Sequence, residues 1–157
     1  MQSGRKYIYF AVVLGVAALL LAAIGGANTN LHGTVSIVII ILDVLALVVA
    51  LFAGRAAKRS GGRPLWKGAL MGAIYGFLFS IGSFFVTITP AEFEQQMQKA
   101  GQTVSSAQVA QAVSIGNSPL VHVLGIVASL IMYGVLGLIA GLIGGVTTRR
   151  EGERDAV

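Results

Sequence analysis

Four long apolar runs constrain this chain more than any other feature of its sequence. They extend over approximately residues 7–27, 34–53, 65–88 and 120–146. Each is long enough for a helix that crosses a bilayer, which takes about 20 residues. Helices are expected because lipid cannot satisfy free backbone groups, and the runs lack the alternation of a barrel strand. We therefore predict an all-α polytopic membrane protein in which residues 1–157 form a single four-helix transmembrane domain.

Composition supports a membrane protein and excludes several kinds of catalytic site. Only 11% of the residues are charged, against about 25% in soluble domains. The absence of cysteine excludes disulfides, thiolate catalysis and Cys-ligated zinc. No Ser/His/Asp arrangement and no phosphate-binding glycine pattern after a strand is visible, so we expect no enzyme and no cofactor. A metal shared by His32, His122 and Glu92 is disfavoured, because catalytic zinc needs three close protein ligands.

Lysine and arginine lie almost entirely on one side of the predicted bundle. Ten of the eleven basic residues occur in the N-terminal segment, the connection between runs two and three, and the C-terminal tail. These ten are Arg5, Lys6, Arg55, Lys58, Arg59, Arg63, Lys67, Arg149, Arg150 and Arg154. Only Lys99 lies on the other side. By the positive-inside rule, we expect a multi-pass protein of the inner (plasma) membrane with both termini cytoplasmic.

Two other interpretations of these segments are disfavoured. The first run could be a cleaved signal peptide, but its apolar part exceeds the usual length of about 7–15 residues, so we expect it to be retained. The loop over residues 55–63 could be a nucleic-acid patch, but no recognition motif or interleaved aromatic residue accompanies it. We expect it to contact anionic lipid head groups, so the predicted partner is the bilayer and not nucleic acid.

The connection between runs three and four predicts two short helices. The stretch Thr89–Glu92 combines a capping box with a proline at the first helical position, and Gly101 is the expected end of that helix. The stretch Ser105–Gln108 repeats the capping box. The apolar residues recur four apart in each helix, at Phe93, Met97, Val109 and Val113. We therefore predict an outer amphipathic segment over residues 90–116, which either packs on the bundle as a lid or binds a partner or ligand.

Three features of the second half of the chain occur together. The sequence TITPAEFEQQMQ follows the third run, a polar helical stretch comes next, and Ser-Pro opens the last run. This order resembles a bacterial family of small four-helix membrane proteins of unknown function. The family features fall on Ile88–Phe93, Glu94–Ala112 and Ser118-Pro119, and the resemblance covers roughly residues 50–148. It implies the four-helix topology and carries no established activity.

Small residues recur at helical spacing in three of the runs. In run three they are Gly68, Gly72, Gly76 and Ser80. In run four they are Gly134, Gly137, Gly141 and Gly144. In run one they are Gly15, Ala18, Ala22 and Gly25. Because such faces let helix backbones approach closely in lipid, we predict packing contacts at these positions. The contacts either hold one four-helix bundle together or, for one stripe, form a dimer or bind a partner subunit.

Asp43 is the only carboxylate within the four runs. The helical rise along run two places it near the bilayer midplane, where insertion of such a residue costs about 2.5–3.5 kcal/mol. No lysine or arginine is available at that depth, so hydroxyls are the expected partners, with Asp43 protonated or hydrogen-bonded. Together with Asp43, we predict Tyr75, Ser80 and Tyr133 as the intramembrane polar residues.

Three roles for Asp43 are open on the sequence. It could hydrogen-bond within the bundle, contact another subunit, or bind a proton, a cation or a basic solute on a transport path. The runs show no proline-broken pair and no inverted repeat of the transporter kind. We therefore favour a non-enzymatic structural or accessory subunit of a membrane assembly, in a homo-oligomer or a larger complex. The alternative is a small oligomeric transporter or channel that uses Asp43.

Overall fold

The computed structural model of the protein describes residues 3–27 and 32–148, and this part of the chain contains helices and no strand. The six α-helices are α1 (Ser3–Ala27), α2 (His32–Arg59), α3 (Pro64–Ile81), α4 (Pro90–Lys99), α5 (Ser106–Gly116) and α6 (Pro119–Val146). A short 3₁₀ turn, Gly82–Phe85, follows α3. The predicted cytoplasmic residues Arg149, Arg150 and Arg154, and the side chain of His32, lie outside the described residues.

Four of these helices, α1, α2, α3 and α6, are long and apolar enough to cross a membrane. They carry many exposed large apolar side chains, including those of Ile40, Val44 and Ile139. An exposed apolar surface of this extent is unusual for a soluble monomer and suits a lipid surrounding. The predicted all-α class with four potential membrane-spanning helices is confirmed.

Two helices differ in extent from the apolar runs that predicted them. Helix α2 continues to Arg59 instead of ending at residue 53, because arginine and lysine favour helices and their long side chains carry the charge beyond the apolar span. Helix α3 ends at Ile81 instead of residue 88, where the backbone tightens into the 3₁₀ turn. The apolar sequence continues past Ile81, so apolar length alone could not locate this end.

The four long helices form a bundle in which α1 and α6 occupy opposite corners. Helix α1 contacts α2 and α3, helix α6 contacts the same two helices, and α2 and α3 contact each other. Two layers of buried side chains fill the interior, one around Met71 and the other around Tyr75 and Tyr133. We call the end with the α2–α3 loop the basic end, and the end with α4 and α5 the hairpin end.

Glycines allow the helices to pack backbone against backbone. A Cβ atom added at Gly141 would lie 2.8 Å from the Gly68 Cα atom, and one added at Gly137 would lie 3.0 Å from the Gly72 Cα atom. Helix α2 approaches as closely, since a Cβ atom at Gly54 would lie 2.7 Å from the Gly141 Cα atom. No larger residue fits these positions without a shift of backbone. The stripes therefore serve contacts within one chain.

The remaining small residues of the predicted stripes also pack within the bundle, with one exception. A Cβ atom at Gly144 would meet the backbone of Leu51 on α2, and one at Gly15 would lie 2.8 Å from the Leu78 Cβ atom on α3. Gly134 makes no packing contact within the described chain, because a Cβ atom there would meet no described atom within 4 Å. At this height in the bundle, the contact between α3 and α6 is made by the neighbouring residue, Tyr133, which packs against α3.

The short helices α4 and α5 begin where their capping boxes predict. The Thr89 Oγ1 atom accepts a hydrogen bond from the Glu92 backbone N–H (3.3 Å), and the Glu92 carboxylate accepts one from the Thr89 backbone N–H (3.0 Å). Ser105 and Gln108 repeat this exchange at 3.3 and 2.9 Å. Gly101 follows α4 with a φ of +73°, the left-handed conformation expected of a glycine after a helix.

One side chain closes the base of this hairpin. The Asn117 amide donates to the Ile88 carbonyl oxygen and accepts from the Ile88 backbone N–H, each at 2.9 Å. Apart from this pair of hydrogen bonds, α4 contacts α5 and α5 contacts α6. Helix α4 buries none of its residues, so it does not press onto the bundle along its length as a lid would.

Candidate functional site

The interior of the bundle positions one carboxylate between two tyrosines. Asp43 is half-buried on α2, and Tyr75 on α3 is completely buried. Tyr133 on α6 is 7% exposed. Its ring fits against α3 because Gly76 has no side chain, since a Cβ atom there would lie 2.7 Å from the Tyr133 Cβ atom. The predicted glycine spacing on α3 therefore also builds this site.

Both tyrosine hydroxyls donate to the same oxygen of Asp43. The Tyr75 Oη atom lies 2.7 Å from Asp43 Oδ1, and the Tyr133 Oη atom lies 2.9 Å from it. These two bonds join α2, α3 and α6 at one point. Among the described residues, none donates to the second oxygen, Oδ2. The carboxylate therefore has one oxygen engaged by the bundle and one oxygen that the bundle leaves available.

Aromatic packing fixes the orientation of the two tyrosines. The rings of Tyr75 and Tyr133 meet edge to face, with centroids 5.2 Å apart and planes at 74°. Phe79 stacks on Tyr75 at 6.2 Å and meets Tyr133 edge to face at 6.0 Å. Contacts of these geometries are favourable beyond the area that they bury. The hydroxyls are thus held in place by their rings as well as by their hydrogen bonds.

Of the four predicted polar residues, the structure brings Asp43, Tyr75 and Tyr133 together. The hydroxyl of Ser80 does not bond to Asp43. Ser80 is buried, and its hydroxyl donates to the carbonyl oxygens of Gly76 (2.7 Å) and Phe77 (3.0 Å) on its own helix. Such bonds to the preceding turn are common for serine in membrane helices. Phe79 was missed by the sequence reasoning, although it lies four residues after Tyr75 and so on the same helix face.

A cavity of about 280 Å³ lies beside this cluster towards the hairpin end. Its lining includes Phe79 and Ser80 on α3, Ser36 on α2, and Gly125 and Ser129 on α6. Helix α1 contributes only small residues to it. Apart from three serine hydroxyls, the described side chains of the lining are apolar, and none of them carries a charge.

A second polar group lies at the basic end. The Arg55 guanidinium stacks over the Phe52 ring at 5.5 Å, and its Nη2 atom donates to the Thr147 Oγ1 atom at 3.4 Å. Its Nε atom is buried and has no hydrogen-bond partner among the described residues. The cation is therefore held between α2 and α6 without a neutralising carboxylate from the part of the chain that the structure describes.

The described residues contain no group of three or more His, Cys, Asp or Glu side chains that could hold a metal ion. His122 stacks on the Phe84 ring at 5.0 Å near the hairpin end. A comparison with protein-family models, curated proteins and solved structures finds no match to this chain. The resemblance to the bacterial four-helix family consequently stays a prediction.

Proposed function

We propose that this chain is a non-enzymatic structural or accessory subunit of a membrane assembly. The observation that carries the proposal is the contact of Asp43 with Tyr75 and Tyr133. This contact gives the one carboxylate of the apolar helices a role inside the bundle, because it links three helices at a fixed height. Polar groups within a bundle can set helix register in this way.

The hairpin is the surface that we assign to a partner. Apart from Gly134, the predicted packing glycines make contacts within the chain, so we assign the partner surface to the hairpin end. Helix α4 has no buried residue, and its apolar residues Phe93 and Met97, which are only half-buried, lie one turn apart. At the same end of the bundle, Phe85 in the 3₁₀ turn and Ile115 on α5 are exposed. A partner subunit that covers these side chains would bury apolar area that the monomer leaves open.

Purification in a mild, lipid-preserving detergent tests this proposal. We expect a larger partner at fixed stoichiometry, identified by mass analysis. Replacing Phe93→Ser and Met97→Ser together should remove that partner, whereas the matched change of the exposed polar residues Gln95→Ser and Gln98→Ser should retain it. Recovery of a lone monomer or homo-oligomer from native membranes would overturn the accessory role.

We further propose that the bundle lies in a bacterial inner membrane with both termini and the basic end in the cytoplasm. Positive charge at the basic end supports this orientation. No carboxylate from the described residues neutralises the Arg55 guanidinium, which supports contact with anionic lipid head groups on that side.

A small oligomeric transporter or channel is the second candidate function. The observation in its favour is the Oδ2 atom of Asp43, which receives no hydrogen bond from the described residues and so could receive a proton or a cation. Flux of protons and alkali cations into proteoliposomes would test it. Transport that is present in the wild type and lost in Asp43→Asn would support this function, and equal flux in protein-free liposomes would exclude it for those ions.

A further inference from the structure

The cavity beside the Asp43 cluster exists because one wall of the bundle stops early. Helix α3 ends at Ile81, whereas α1, α2 and α6 continue towards the hairpin end. The walls that remain are lined by small residues, among them Ala22 and Gly25 on α1 and Gly125 on α6. Protein interiors are otherwise packed with few voids larger than a water molecule. A space of about 280 Å³ is therefore a feature that needs an occupant.

Exposure of the lining residues locates the opening of this cavity. Ser36 on α2 and Gly125 on α6 are exposed, whereas the other lining residues are half-buried or buried. The opening thus lies between α2 and α6, two helices that contact each other. The exposed neighbours Ile37, Ile40 and Leu124 are large and apolar. Gly125 lies six residues into α6, about 9 Å from its start by helical rise, so the opening faces the hydrocarbon of the membrane.

The lining selects against charged and strongly polar occupants. Among the described residues that line the cavity there is no Asp, Glu, Lys, Arg or His. An apolar protein cavity of about 150 Å³ stays dry and binds benzene, and this one is larger. A charged ligand would lose its hydration without gaining a counter-ion. The occupant that fits is neutral and largely apolar.

One polar atom in the wall is available to such an occupant. The hydroxyl of Ser129 has no hydrogen bond to the described residues, in contrast to that of Ser80, which bonds to the preceding turn of its own helix. A half-buried hydroxyl in an apolar surrounding gains from an acceptor that a ligand brings. Ser129 lies one turn from Tyr133, so that acceptor would lie near the Asp43 cluster.

We propose that this cavity binds a neutral, largely apolar molecule that carries a carbonyl group, drawn from the surrounding membrane, and that Ser129 donates a hydrogen bond to the carbonyl oxygen. The ester of a membrane lipid and a free long-chain ketone or quinone share this chemistry. The site is independent of the partner surface on α4, so it does not depend on the accessory role.

Photolabelling of the protein in phosphatidylethanolamine/phosphatidylglycerol vesicles tests the proposal. Three diazirine probes are compared: a long-chain ketone, the matched alkane, and a phospholipid with the diazirine in its acyl chain. We expect saturable labelling of the cavity wall by the ketone, mapped by mass spectrometry after proteolysis, and weaker labelling by the alkane. Labelling by the phospholipid as well identifies a lipid ester as an occupant. Labelling by the ketone without the phospholipid identifies a free carbonyl compound.

Two variants of α6 separate the cavity from the outer surface of the helix. Gly125→Leu places a side chain at the opening and should reduce labelling of the wall to the level of bulk lipid. Gly134→Leu is the matched control, because a Cβ atom at either glycine meets no described atom within 4 Å, and it should label as the wild type does. Ser129→Ala should weaken ketone binding about two- to tenfold, the contribution of one hydrogen bond, and leave alkane labelling unchanged. Wild-type labelling that does not saturate, or that survives Gly125→Leu, overturns the site; equal ketone binding by Ser129→Ala overturns the role of its hydroxyl.

Discussion

At the scale of single residues, Asp43 shows how a membrane-spanning helix tolerates a carboxylate. Insertion of such a residue at the centre of a helix costs about 2.5–3.5 kcal/mol. Hydrogen bonds between membrane helices contribute about 0.6–2 kcal/mol each. The two tyrosine hydroxyls therefore offset much of the cost, and packing of their rings with each other and with Phe79 adds to this. Deleting one hydroxyl should therefore lower the free energy of unfolding by a measurable amount.

We predict that Tyr133→Phe lowers the free energy of unfolding by about 0.6–2 kcal/mol, because it removes one donor from Asp43 and retains the ring. Thermal or denaturant unfolding of the purified protein in detergent would measure the loss. Tyr9→Phe is the matched control, since Tyr9 is 70% exposed, and should change little. In an Asp43→Leu background, Tyr133→Phe should lose most of its effect. An equal cost in both backgrounds would show that the hydroxyl does not act through Asp43.

At the scale of helices, contact between α3 and α6 depends on where each glycine lies around the helix. A Cβ atom at Gly137 would meet the backbone of Gly68 and Gly72 on α3, whereas one at Gly134, on the same helix, would meet no described atom within 4 Å. Sequence spacing did not distinguish them, because both positions belong to the same small-residue pattern. The distinction comes from Tyr133, whose ring takes the place of a glycine contact at that level.

We predict opposite effects for the same substitution at these two positions. Gly137→Ala should destabilise the bundle by about 1–3 kcal/mol, the usual cost of adding a methyl group to a tightly packed contact. Gly134→Ala should be neutral or stabilising by up to about 1 kcal/mol, because alanine favours the helix and its Cβ atom is unobstructed. The two variants can be compared by thermal unfolding. Equal destabilisation by the two variants would contradict the assignment of Gly137, and not Gly134, to the contact between α3 and α6.

The hairpin helices allow a local test of their caps. Thr89→Ala removes the hydroxyl that accepts from the Glu92 backbone N–H, and such a loss costs about 1 kcal/mol. We expect faster hydrogen exchange over α4, measured by mass spectrometry, with no change in the four long helices. Thr103→Ala, in the linker between α4 and α5, should leave exchange of α4 as it is. Faster exchange throughout the bundle would show that the hairpin is not an independent unit.

Much of this fold could be predicted because its signals are local. Apolar length gave the four long helices, and the capping boxes at Thr89 and Ser105 gave the starts of the short ones. The depth of each residue along its helix also predicted that Tyr75 and Tyr133 lie at the height of Asp43. The end of α3, the close approach of Gly54 to α6 and the cavity depend on how helices cross, and no single stretch of sequence encodes that.

At the scale of the whole molecule, the two ends of the bundle differ in charge and in packing. The basic end holds a short loop, Ser60–Arg63, and an arginine without a counter-ion among the described residues. The hairpin end holds two capped helices joined to the bundle through Asn117. From this asymmetry we expect the basic end to lie on the side of the membrane that carries anionic lipid.

We predict that the hairpin end faces away from the cytoplasm. Because the chain contains no cysteine, single cysteines report their location without background from the rest of the chain. Gln102→Cys, between α4 and α5, should react with an impermeant maleimide in intact cells. Ser60→Cys, at the basic end, should react only after the membrane is opened. The reverse pattern would invert the proposed topology.

The wide separation of the Asp43 partners along the chain also has a consequence during synthesis. Tyr75 follows Asp43 by 32 residues and Tyr133 follows it by 90. At about 5–20 residues per second, the ribosome adds Tyr133 roughly 5–18 s after Asp43. During that interval α2 carries a carboxylate that lacks both tyrosine donors until Tyr75 is made and one of them afterwards. Insertion of α6 is thus the event that completes the site, and a nascent chain that stops before it would present an incompletely bonded acid to the cell's membrane quality control.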